Sequence, residues 1–371
     1  MSLRIALLAQ ECGPGYLGGG IGTYTHALAH GLHELGHDVT IVGRHDGPMR
    51  EERNGYRVVY APRRHLPARL RQLGERLEAV AEARSAVRRL GPFDVVEGPD
   101  WLAEGLLVRG GALQARHVHG ANRTLRLHGG RSAGRAERLA EALETYDLEH
   151  ADVVTAASRL STVLPSGESA LSRPVVVVPM PLDPAGWHAT PLPDAPVISI
   201  FGRIEARKGG DVLVRAAALL DDVKPVVRFV GRSLEPAFNA QLHALATELD
   251  VRTEFLGGRP ASELPALYAA SRLVAVPSRF EPYSMVALEA LAAGRPAILS
   301  DACGAAEALR DNVFTFPQGD VAALAGVLRS CLIDSSGMQE HARTARHHVL
   351  AAHSPRAAAS AKLAVWEKAL R

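Results

Sequence analysis

The 371-residue chain has few cysteines, few aromatic residues and almost no net charge. Cys12, Cys303 and Cys331 are an odd number without metal-ligand spacing, so neither a disulfide framework nor a zinc site is expected. A reducing cytoplasm is the compartment that this cysteine usage favours. The net charge of +2 gives no general attraction to nucleic acid, and no nucleic-acid partner is expected.

Long apolar runs are also missing. No uninterrupted apolar stretch is long enough to span a bilayer, which leaves only a peripheral contact with a membrane surface open. The N-terminus enters a predicted strand at once, so no signal peptide is expected.

Short apolar segments are plentiful instead. With 47% hydrophobic and 22% charged residues the chain can bury full cores, and its length favours two domains. The segments alternate with helix-like stretches, which is typical of doubly wound α/β structure. Strands are predicted at residues 4–9, 39–43, 57–60, 94–97, 116–119, 153–156 and 175–178, and then at 197–201, 226–230, 253–256, 273–276, 297–300 and 313–316.

Prolines recur between residues 179 and 196 and separate the two series of strands. We expect a Rossmann-like domain at 1–183, a linker at 184–196 and a second Rossmann-like domain at 197–354, facing each other across a cleft. Residues 355–371 have the pattern of a terminal helix with Trp366 on its apolar face, a candidate to pack back on the first domain.

Two glutamates in the segment 279–289 give the strongest functional signal. Glu281 is expected in a loop just before a helix, and Glu289 about two turns inside it. Carboxylates are costly to hold in apolar surroundings without partners, yet this segment is largely apolar. The pair could bind two ends of one polyhydroxylated ligand, with the helix N-terminus between them for an anion. A sugar, a pyrophosphate and a ribose in a row would fit.

Two cations follow the predicted strand at 197–201. Arg203 and Lys208 leave the sheet at the carboxyl end of that strand, where doubly wound sheets bind ligands. Together they could hold a pyrophosphate, although a solvated loop is the alternative for these charges alone. After the strand at 253–256, Leu256 to Arg259 begin a loop where a base could lie against the backbone; a plain strand-to-helix turn is the alternative there.

These pieces occur in a fixed order: Gly202-Arg203…Lys208-Gly209, Phe255-Leu256-Gly257 and Pro277-Ser278…Glu281-Pro282…Glu289-Ala290-Leu291-Ala292-Ala293-Gly294. The ordered set resembles the retaining nucleotide-sugar glycosyltransferases of glycosyltransferase family 4, also described as glycosyl transferases group 1, which have the GT-B fold. The resemblance spans nearly the whole chain.

The resemblance implies a role for each matching position. Glu281 would bind hydroxyls of the donor sugar, Arg203 and Lys208 would neutralise the pyrophosphate, and Glu289 would hydrogen-bond the ribose. Backbone N–H groups would hold the distal phosphate at Tyr283, Ser284 and Met285. The family usually has Phe-Gly where this chain has Tyr283-Ser284, and the segment Gly304-Ala305-Ala306-Glu307 keeps only one of two usual glycines.

The glycines of the first half allow two interpretations. Residues 13–18 satisfy G-x-G-x-x-G, and Arg44 stands where an acidic residue usually ends the second strand, which keeps an NADP site open. In the other register, Gly19 and Gly20 resemble the first loop of the same glycosyltransferase family, whose glycine amides approach the donor phosphate from the opposite domain.

His117 and His119 end another strand. As metal ligands they would need a third partner, for which no suitable spacing exists, so no metal is expected. A buried structural histidine is the default interpretation, but His119 matches the family position that lines the catalytic cleft beside the donor sugar. Candidate acceptor contacts, with ordinary packing or a solvated face as the alternative, are Asp100, Trp101, Asn122, Arg123 and Arg126.

The favoured hypothesis is a retaining, metal-independent hexosyltransferase without a cofactor, in which Glu281, Arg203, Lys208 and His119 are the catalytic candidates. It would move a sugar from a uridine or guanosine diphosphate sugar to a hydroxyl of a polysaccharide, lipid or small metabolite. The family resemblance implies front-face attack. The alternatives are a sugar-nucleotide epimerase of the same fold, an NADP-dependent oxidoreductase that uses the Gly13–Gly18 loop, and a non-catalytic sensor.

Overall fold

The apolar segments of the first half form one eight-stranded sheet. The computed structural model describes residues 2–10, 12–13, 16–17, 19–45, 49–62, 71–108 and 110–371. The elements of this half are β1 (Arg4–Leu8), β2 (Cys12–Gly13), β3 (Tyr16–Leu17), α1 (Gly19–Glu34), β4 (Asp38–His45), β5 (Met49–Arg53), β6 (Tyr56–Pro62), α2 (Arg71–Leu90), β7 (Val95–Pro99), β8 (Leu113–Val118), α3 (Asn122–His128), α4 (Arg135–Glu149), β9 (Val153–Ala156) and β10 (Val176–Val177).

The strand order in this sheet is β10-β9-β8-β7-β1-β4-β6-β5. All neighbours are parallel except β5, which runs antiparallel to β6 at the edge. The order reverses between β1 and β7, so the chain winds outward in both directions from the centre. The short strands β2 and β3 pair with each other as a separate antiparallel ladder.

The second half forms a six-stranded parallel sheet. Its elements are β11 (Val197–Phe201), α5 (Gly210–Ala218), β12 (Val226–Val230), α6 (Pro236–Glu248), β13 (Thr253–Phe255), α7 (Leu264–Ala269), β14 (Leu273–Val276), α8 (Met285–Ala292), β15 (Ala297–Ser300), α9 (Gly304–Leu309), β16 (Phe314–Phe316), α10 (Val321–Ile333) and α11 (Ser335–Ala352). Every residue of β14 and β15 is buried, because helices cover both faces of such a sheet.

The order of the second sheet is β13-β12-β11-β14-β15-β16, the Rossmann order with its reversal between β11 and β14. The loops that follow these two strands therefore diverge from one crevice at the carboxyl edge. Residues 202–209 form one of these loops, and residues 277–284 form the other. The sequence prediction of α/β structure with two Rossmann-like sheets is confirmed.

The chain divides into two compact units, residues 1–183 with 352–371, and residues 184–351. The proline-rich segment packs within the second unit. The buried guanidinium of Arg295 donates to the carbonyl oxygen of Pro191 at 3.2 Å and also hydrogen-bonds Thr190. Segment 184–196 is thus an ordered part of that unit.

The last helix, α12 (Pro355–Leu370), belongs to the first unit and packs along α1. Its start is marked by Ser354, whose Oγ accepts a hydrogen bond from the Ala357 N–H at 3.2 Å. The two helices approach closely at Gly31, where a Cβ would overlap the carbonyl oxygen of Pro355. Trp366 on α12 is fully buried.

Candidate active site

The crevice between β11 and β14 gathers the charged residues of the second unit. Lys208 ends the loop after β11, and its Nζ contacts Oε2 of Glu281 in the loop after β14. Arg207 Nη1 lies 3.3 Å from the same oxygen and donates to the carbonyl oxygen of Phe280 at 2.8 Å. Two cations thus converge on one carboxylate at the sheet edge where ligands bind.

Glu281 is held as an anion. Burial by itself would raise its pKa, but the ammonium of Lys208 and the guanidinium of Arg207 outweigh this effect and lower the pKa to about 2. The side chain of Glu281 is 14% exposed, so a ligand can still reach it. The group is therefore an ionised acceptor of hydrogen bonds near neutral pH.

Arg207 was missed by the sequence interpretation, which named Arg203 beside Lys208. Arg203 is 57% exposed, and its ion-pair partner is Glu205 at 3.7 Å. Arg207 instead bridges Glu205, at 2.6 Å, and Glu281. Because Arg203 has an exposed guanidinium on the same loop, it stays a predicted pyrophosphate ligand.

Another arginine, Arg279, joins the two loops. Arg279 makes a bidentate pair with Asp211, at 2.8 and 2.6 Å, and donates to the carbonyl oxygen of Ala206 at 2.6 Å. Gly209, in a left-handed conformation at φ 69°, allows the approach, since a Cβ there would overlap the carbonyl oxygen of Pro277. These contacts fix Lys208 and Glu281 relative to each other.

Glu289 lies in the middle of α8 and is held differently. Tyr268 donates its hydroxyl to Oε2 of Glu289 at 2.7 Å. The Tyr268 ring is buried and stacks on Phe201, with centroids 3.8 Å apart. Burial raises the pKa of Glu289 to about 7, against a lowering by the Tyr268 hydrogen bond.

The turn between the two glutamates begins α8. Ser284 is its N-cap, and Oγ accepts from the Ala287 N–H at 3.3 Å. Met285 is the first helical residue, and Tyr283 is buried with its carbonyl oxygen accepting from Sγ of Cys303 at 2.8 Å. The N–H groups of residues 283–285 stay the predicted phosphate donors, because the first N–H groups of a helix lack intrahelical acceptors.

Ser284 has φ 148° and ψ 103°, a conformation that glycine adopts far more readily than serine. Replacing Ser284 by glycine is expected to raise the free energy of unfolding by about 1 kcal/mol, since relief of strain outweighs the lost cap and the added chain entropy. Urea unfolding followed by tryptophan fluorescence measures the change in the free energy of unfolding.

Ser284→Ala is the control, because it keeps the strained backbone and loses the cap. It should be less stable than the wild type by about 1 kcal/mol. A glycine variant no more stable than the alanine variant would contradict the argument.

The remaining donor candidates lie at the same edge of the sheet. Leu256 follows β13, and its N–H donates to the carbonyl oxygen of Phe229 at 2.9 Å. Arg259 is exposed and pairs with Glu263 at 3.6 Å. Glu307 lies exposed on α9. The geometry leaves Leu256 and Arg259 as predicted base contacts.

In the first unit, two of the candidate glycines begin helix α1. Gly19 and Gly20 are exposed at this helix terminus, as a phosphate approach would need. Three residues of the G-x-G-x-x-G match, Pro14, Gly15 and Gly18, lie outside the described residues. Arg44, considered for a 2′-phosphate, is instead paired with Glu82 at 2.6 Å and with Glu78 at 3.6 Å. That pairing removes the cation on which the NADP interpretation depends.

His119 lies just beyond β8 and is partly exposed, whereas His117 is fully buried. Burial first, and then the cation of Lys362, lower the pKa of His119 to about 3, so the imidazole is neutral. Within the described ranges, no three side chains of His, Cys, Asp or Glu are grouped as metal ligands.

Asp100 supports the loop that carries His119. Its two carboxylate oxygens accept from the N–H groups of His119, at 3.1 Å, and Gly120, at 2.9 Å. Burial raises the pKa of Asp100 to about 7, although these backbone donors oppose the shift. Its carboxylate therefore already binds the backbone of this loop, and its contact with an acceptor stays a prediction.

The other acceptor candidates differ in how much of their bonding capacity is used. Asn122 Nδ2 donates to Oε1 of Glu144 at 2.7 Å, and Arg126 forms a bidentate pair with Glu141 at 2.6 and 2.8 Å. Arg123 makes no hydrogen bond or ion pair with any residue that the structure describes. Arg123 is thus the candidate of this group whose bonding capacity is unused, and Trp101 is half-buried.

Comparison with known proteins adds the family. The family described as "Glycosyl transferases group 1" matches residues 189–348, and "Glycosyl transferase 4-like domain" matches residues 19–181. The protein is a glycosyltransferase. Over 408 aligned residues this glycosyltransferase is 26% identical to glycogen synthase of Mycobacterium tuberculosis, covering 100% of this chain and 95% of the relative.

Solved structures share the fold along the whole glycosyltransferase. Sucrose-phosphate synthase from Thermosynechococcus elongatus has a TM-score of 0.79 at 21% identity, covering 99% of this chain and 98% of that one. HepE of Anabaena, crystallised with UDP and glucose, has a TM-score of 0.70 at 20% identity and covers 98% of both chains. The predicted GT-B fold class and the predicted enzyme class are confirmed.

A helix that spans a membrane must be both long enough and apolar enough. Among the helices that the structure describes, none meets both requirements by itself. Helices α10 and α11, bent by 98° relative to each other, meet them only as a pair and only by length and composition.

Proposed function

We propose that the glycosyltransferase moves a hexose from a uridine diphosphate sugar to a hydroxyl of an acceptor, with retention of anomeric configuration and without a metal ion. The proposal depends on one observation: an ionised Glu281, held by Lys208 and Arg207, lies just before α8, and Glu289 follows inside that helix. The UDP and glucose bound by HepE support uridine as the base.

The donor occupies the second unit in this proposal. Glu281 accepts hydrogen bonds from the sugar hydroxyls, since an ionised carboxylate forms stronger hydrogen bonds than a neutral group. Lys208 and Arg203 neutralise the pyrophosphate, and the N–H groups of residues 283–285 bind its distal phosphate. Glu289 takes the ribose, and Leu256 and Arg259 contact the base.

The chemistry follows from where charge develops. As the glycosidic bond to the diphosphate breaks, negative charge grows on the leaving oxygen and is stabilised by fixed cations and helix N–H groups. The acceptor attacks from the same face, and its proton passes to the departing phosphate. The first unit supplies the acceptor site, with His119 as its catalytic candidate. The three buried free cysteines fit a reducing compartment such as the cytoplasm.

A thermal-shift screen followed by product analysis tests this function. UDP-glucose and other UDP-sugars, GDP-sugars and ADP-glucose are compared; a donor at a hundred times its Kd stabilises the fold by about 2.7 kcal/mol. The stabilising donor is then incubated with acceptors in the presence of EDTA, and NMR reads the anomeric configuration of the product. Release of free nucleotide with a retained linkage is expected.

Other outcomes would contradict the proposal. An isomerised nucleotide sugar without free nucleotide would identify an epimerase, and an inverted linkage would exclude retention. Saturable binding of NADPH, followed by its fluorescence, would support the oxidoreductase. Donor binding without turnover on any acceptor would favour a sensor. Loss of transfer in EDTA would show a metal requirement.

Donor affinity is expected to rise with pH. Glu289, with a pKa of about 7, is protonated below that value and ionised above it, and only the ionised form accepts hydrogen bonds from both ribose hydroxyls. The apparent affinity for UDP-glucose should therefore be about tenfold lower at pH 6 than at pH 8. Calorimetry at a series of pH values measures it.

Glu289→Gln is the matched control for this pH dependence. It cannot ionise, so its donor affinity is expected to be low and nearly independent of pH over the same range. An equally steep pH dependence in Glu289→Gln would show that another group causes it.

A further inference from the structure

Beneath His119, the first unit contains a buried polar cluster that the proposed donor chemistry does not use. At its centre is Lys362 on α12, 1% exposed, whose Nζ contacts Oε2 of Glu97 on β7. The same ammonium donates to Oγ1 of Thr155 at 2.6 Å and lies 3.1 Å from Nδ1 of His117. A lysine from the last helix thus reaches three strands of the first sheet.

The donors and acceptors in this cluster determine the state of His117. The ammonium of Lys362 can only donate, and the Thr155 hydroxyl has an acceptor in the carbonyl oxygen of Arg116 at 3.1 Å. The 3.1 Å contact of Lys362 with Nδ1 of His117 is a hydrogen bond when Nδ1 accepts; Nδ1 also lies 3.0 Å from Oγ1 of Thr155. Burial and the neighbouring Lys362 both lower the pKa of His117, consistent with a neutral ring.

Glu97 extends the cluster to α1. Its Oε1 accepts from the hydroxyl of Tyr24 at 2.7 Å, so one carboxylate joins Lys362 and Tyr24. The Tyr24 ring stacks on His117, with centroids 4.5 Å apart and planes 4° from parallel. Two aromatic rings are thereby fixed in a parallel stack by the same carboxylate and the same ammonium.

His119 packs against this stack. Its ring meets Tyr24 edge-on at a centroid distance of 4.7 Å, and His117 edge-on at 4.6 Å. Edge-to-face contacts are directional, so the orientation of His119 depends on that of the two stacked rings. From the backbone side, Asp100 accepts from the His119 N–H.

We propose that Lys362 is a positioning residue for His119: through Glu97, Tyr24 and His117 it fixes the imidazole, and it places the ammonium that Glu97 binds beside it. Its role in turnover rests on the proposed function, in which His119 belongs to the acceptor site of the first unit. The positioning itself is a property of the first unit and can be measured without a substrate.

The titratable groups around His119 come from several elements, and the neighbours of each group determine its charge. Lys362 from α12 is the cation, and it disfavours a second positive charge on His119. Glu97 from β7 is neutralised by Lys362, Tyr24 from α1 is un-ionised because burial and Glu97 raise its pKa, and His117 from β8 is neutral. Asp100 faces the backbone of the same loop.

Lys362→Met tests the proposal, because methionine keeps the length and the burial of the side chain but cannot donate or carry charge. Histidine labelled with ¹³C at the ring, with the His119 signal identified by its loss in His119→Asn, reports the titration. Wild-type His119 is expected to stay neutral down to about pH 5, and in Lys362→Met its pKa should rise by at least one unit. The kcat should fall at least tenfold, with donor KM nearly unchanged.

Lys368→Met on the exposed face of the same helix is the matched control and should behave as the wild type. Because Lys362→Met leaves Glu97 buried without its cation, Glu97→Gln/Lys362→Met serves where the single variant does not fold. A folded Lys362→Met, or the double variant, with wild-type kcat and unchanged His119 titration would overturn the proposal. If no glycosyl transfer is found, the titration alone still decides the positioning.

Discussion

Replacing Glu281 by glutamine is expected to reduce glycosyl transfer by about 10²–10³-fold, the range for loss of one preorganised charged contact in a transition state. The amide keeps the shape of the side chain but removes the anion that Lys208 and Arg207 hold with a pKa of about 2. Lys208 then loses its counter-charge, Arg207 keeps only Glu205, and the sugar hydroxyls lose an ionised acceptor. Steady-state kinetics with the donor found by thermal shift measures the effect on kcat.

Glu254→Gln is the control for Glu281→Gln. Glu254 is also a carboxylate of the second unit in an ion pair, with Arg228 at 2.6 Å, but it lies on β13 with 43% of its side chain exposed. Its replacement should leave kcat unchanged. Thermal unfolding checks that both variants are folded, and wild-type turnover in a folded Glu281→Gln would refute the assignment of the site.

The second large effect is expected for Lys208→Met, which should lower kcat by about 10²-fold. Lys208 makes the closer of the two cation contacts with Glu281, and the bidentate pair between Arg279 and Asp211 still joins the two loops without it. The variant should therefore fold, bind the donor more weakly and stabilise the leaving diphosphate less. Single-turnover kinetics separates the loss in binding from the loss in the chemical step.

Lys224→Met provides the matched control, since Lys224 is an exposed lysine of the same unit in the turn before β12. Unchanged kcat is expected for it. A Lys208→Met enzyme with normal single-turnover rate at saturating donor would place the leaving-group cation elsewhere, with Arg203 as the next residue to replace.

The sequence predicted the proximity of Lys208 and Glu281, because this proximity follows from strand order. Apolar strands with small-residue turns predict a doubly wound sheet, and such a sheet brings the loops after β11 and β14 to one edge. Lys208 and Glu281 lie in the loops that follow those strands, so the strand pattern predicts that they are close together. All predicted strands are present, with boundaries shifted by up to three residues; β1, β13 and β16 are one residue shorter than predicted, and β10 is two residues shorter.

The sequence did not predict which of several neighbouring side chains makes a given contact. Arg203 and Arg207 are both arginines of one loop, and only the turn at residues 206–208 with the left-handed Gly209 decides that Arg207 reaches Glu281. Strand β5 was missed because its residues, Met49–Arg53, are mostly charged and occupy a sheet edge. The Tyr268 support of Glu289 joins residues without any local motif.

The closing helix α12 has a consequence for how the protein is made. Synthesis runs towards the carboxyl terminus, so the ribosome completes residues 184–351 before it supplies Trp366 and Lys362 to the first unit. The first unit is therefore completed after the second, and its nascent form exposes the apolar side of α1 while the second unit folds. A premature stop between residues 352 and 362 would damage the first unit and spare the second.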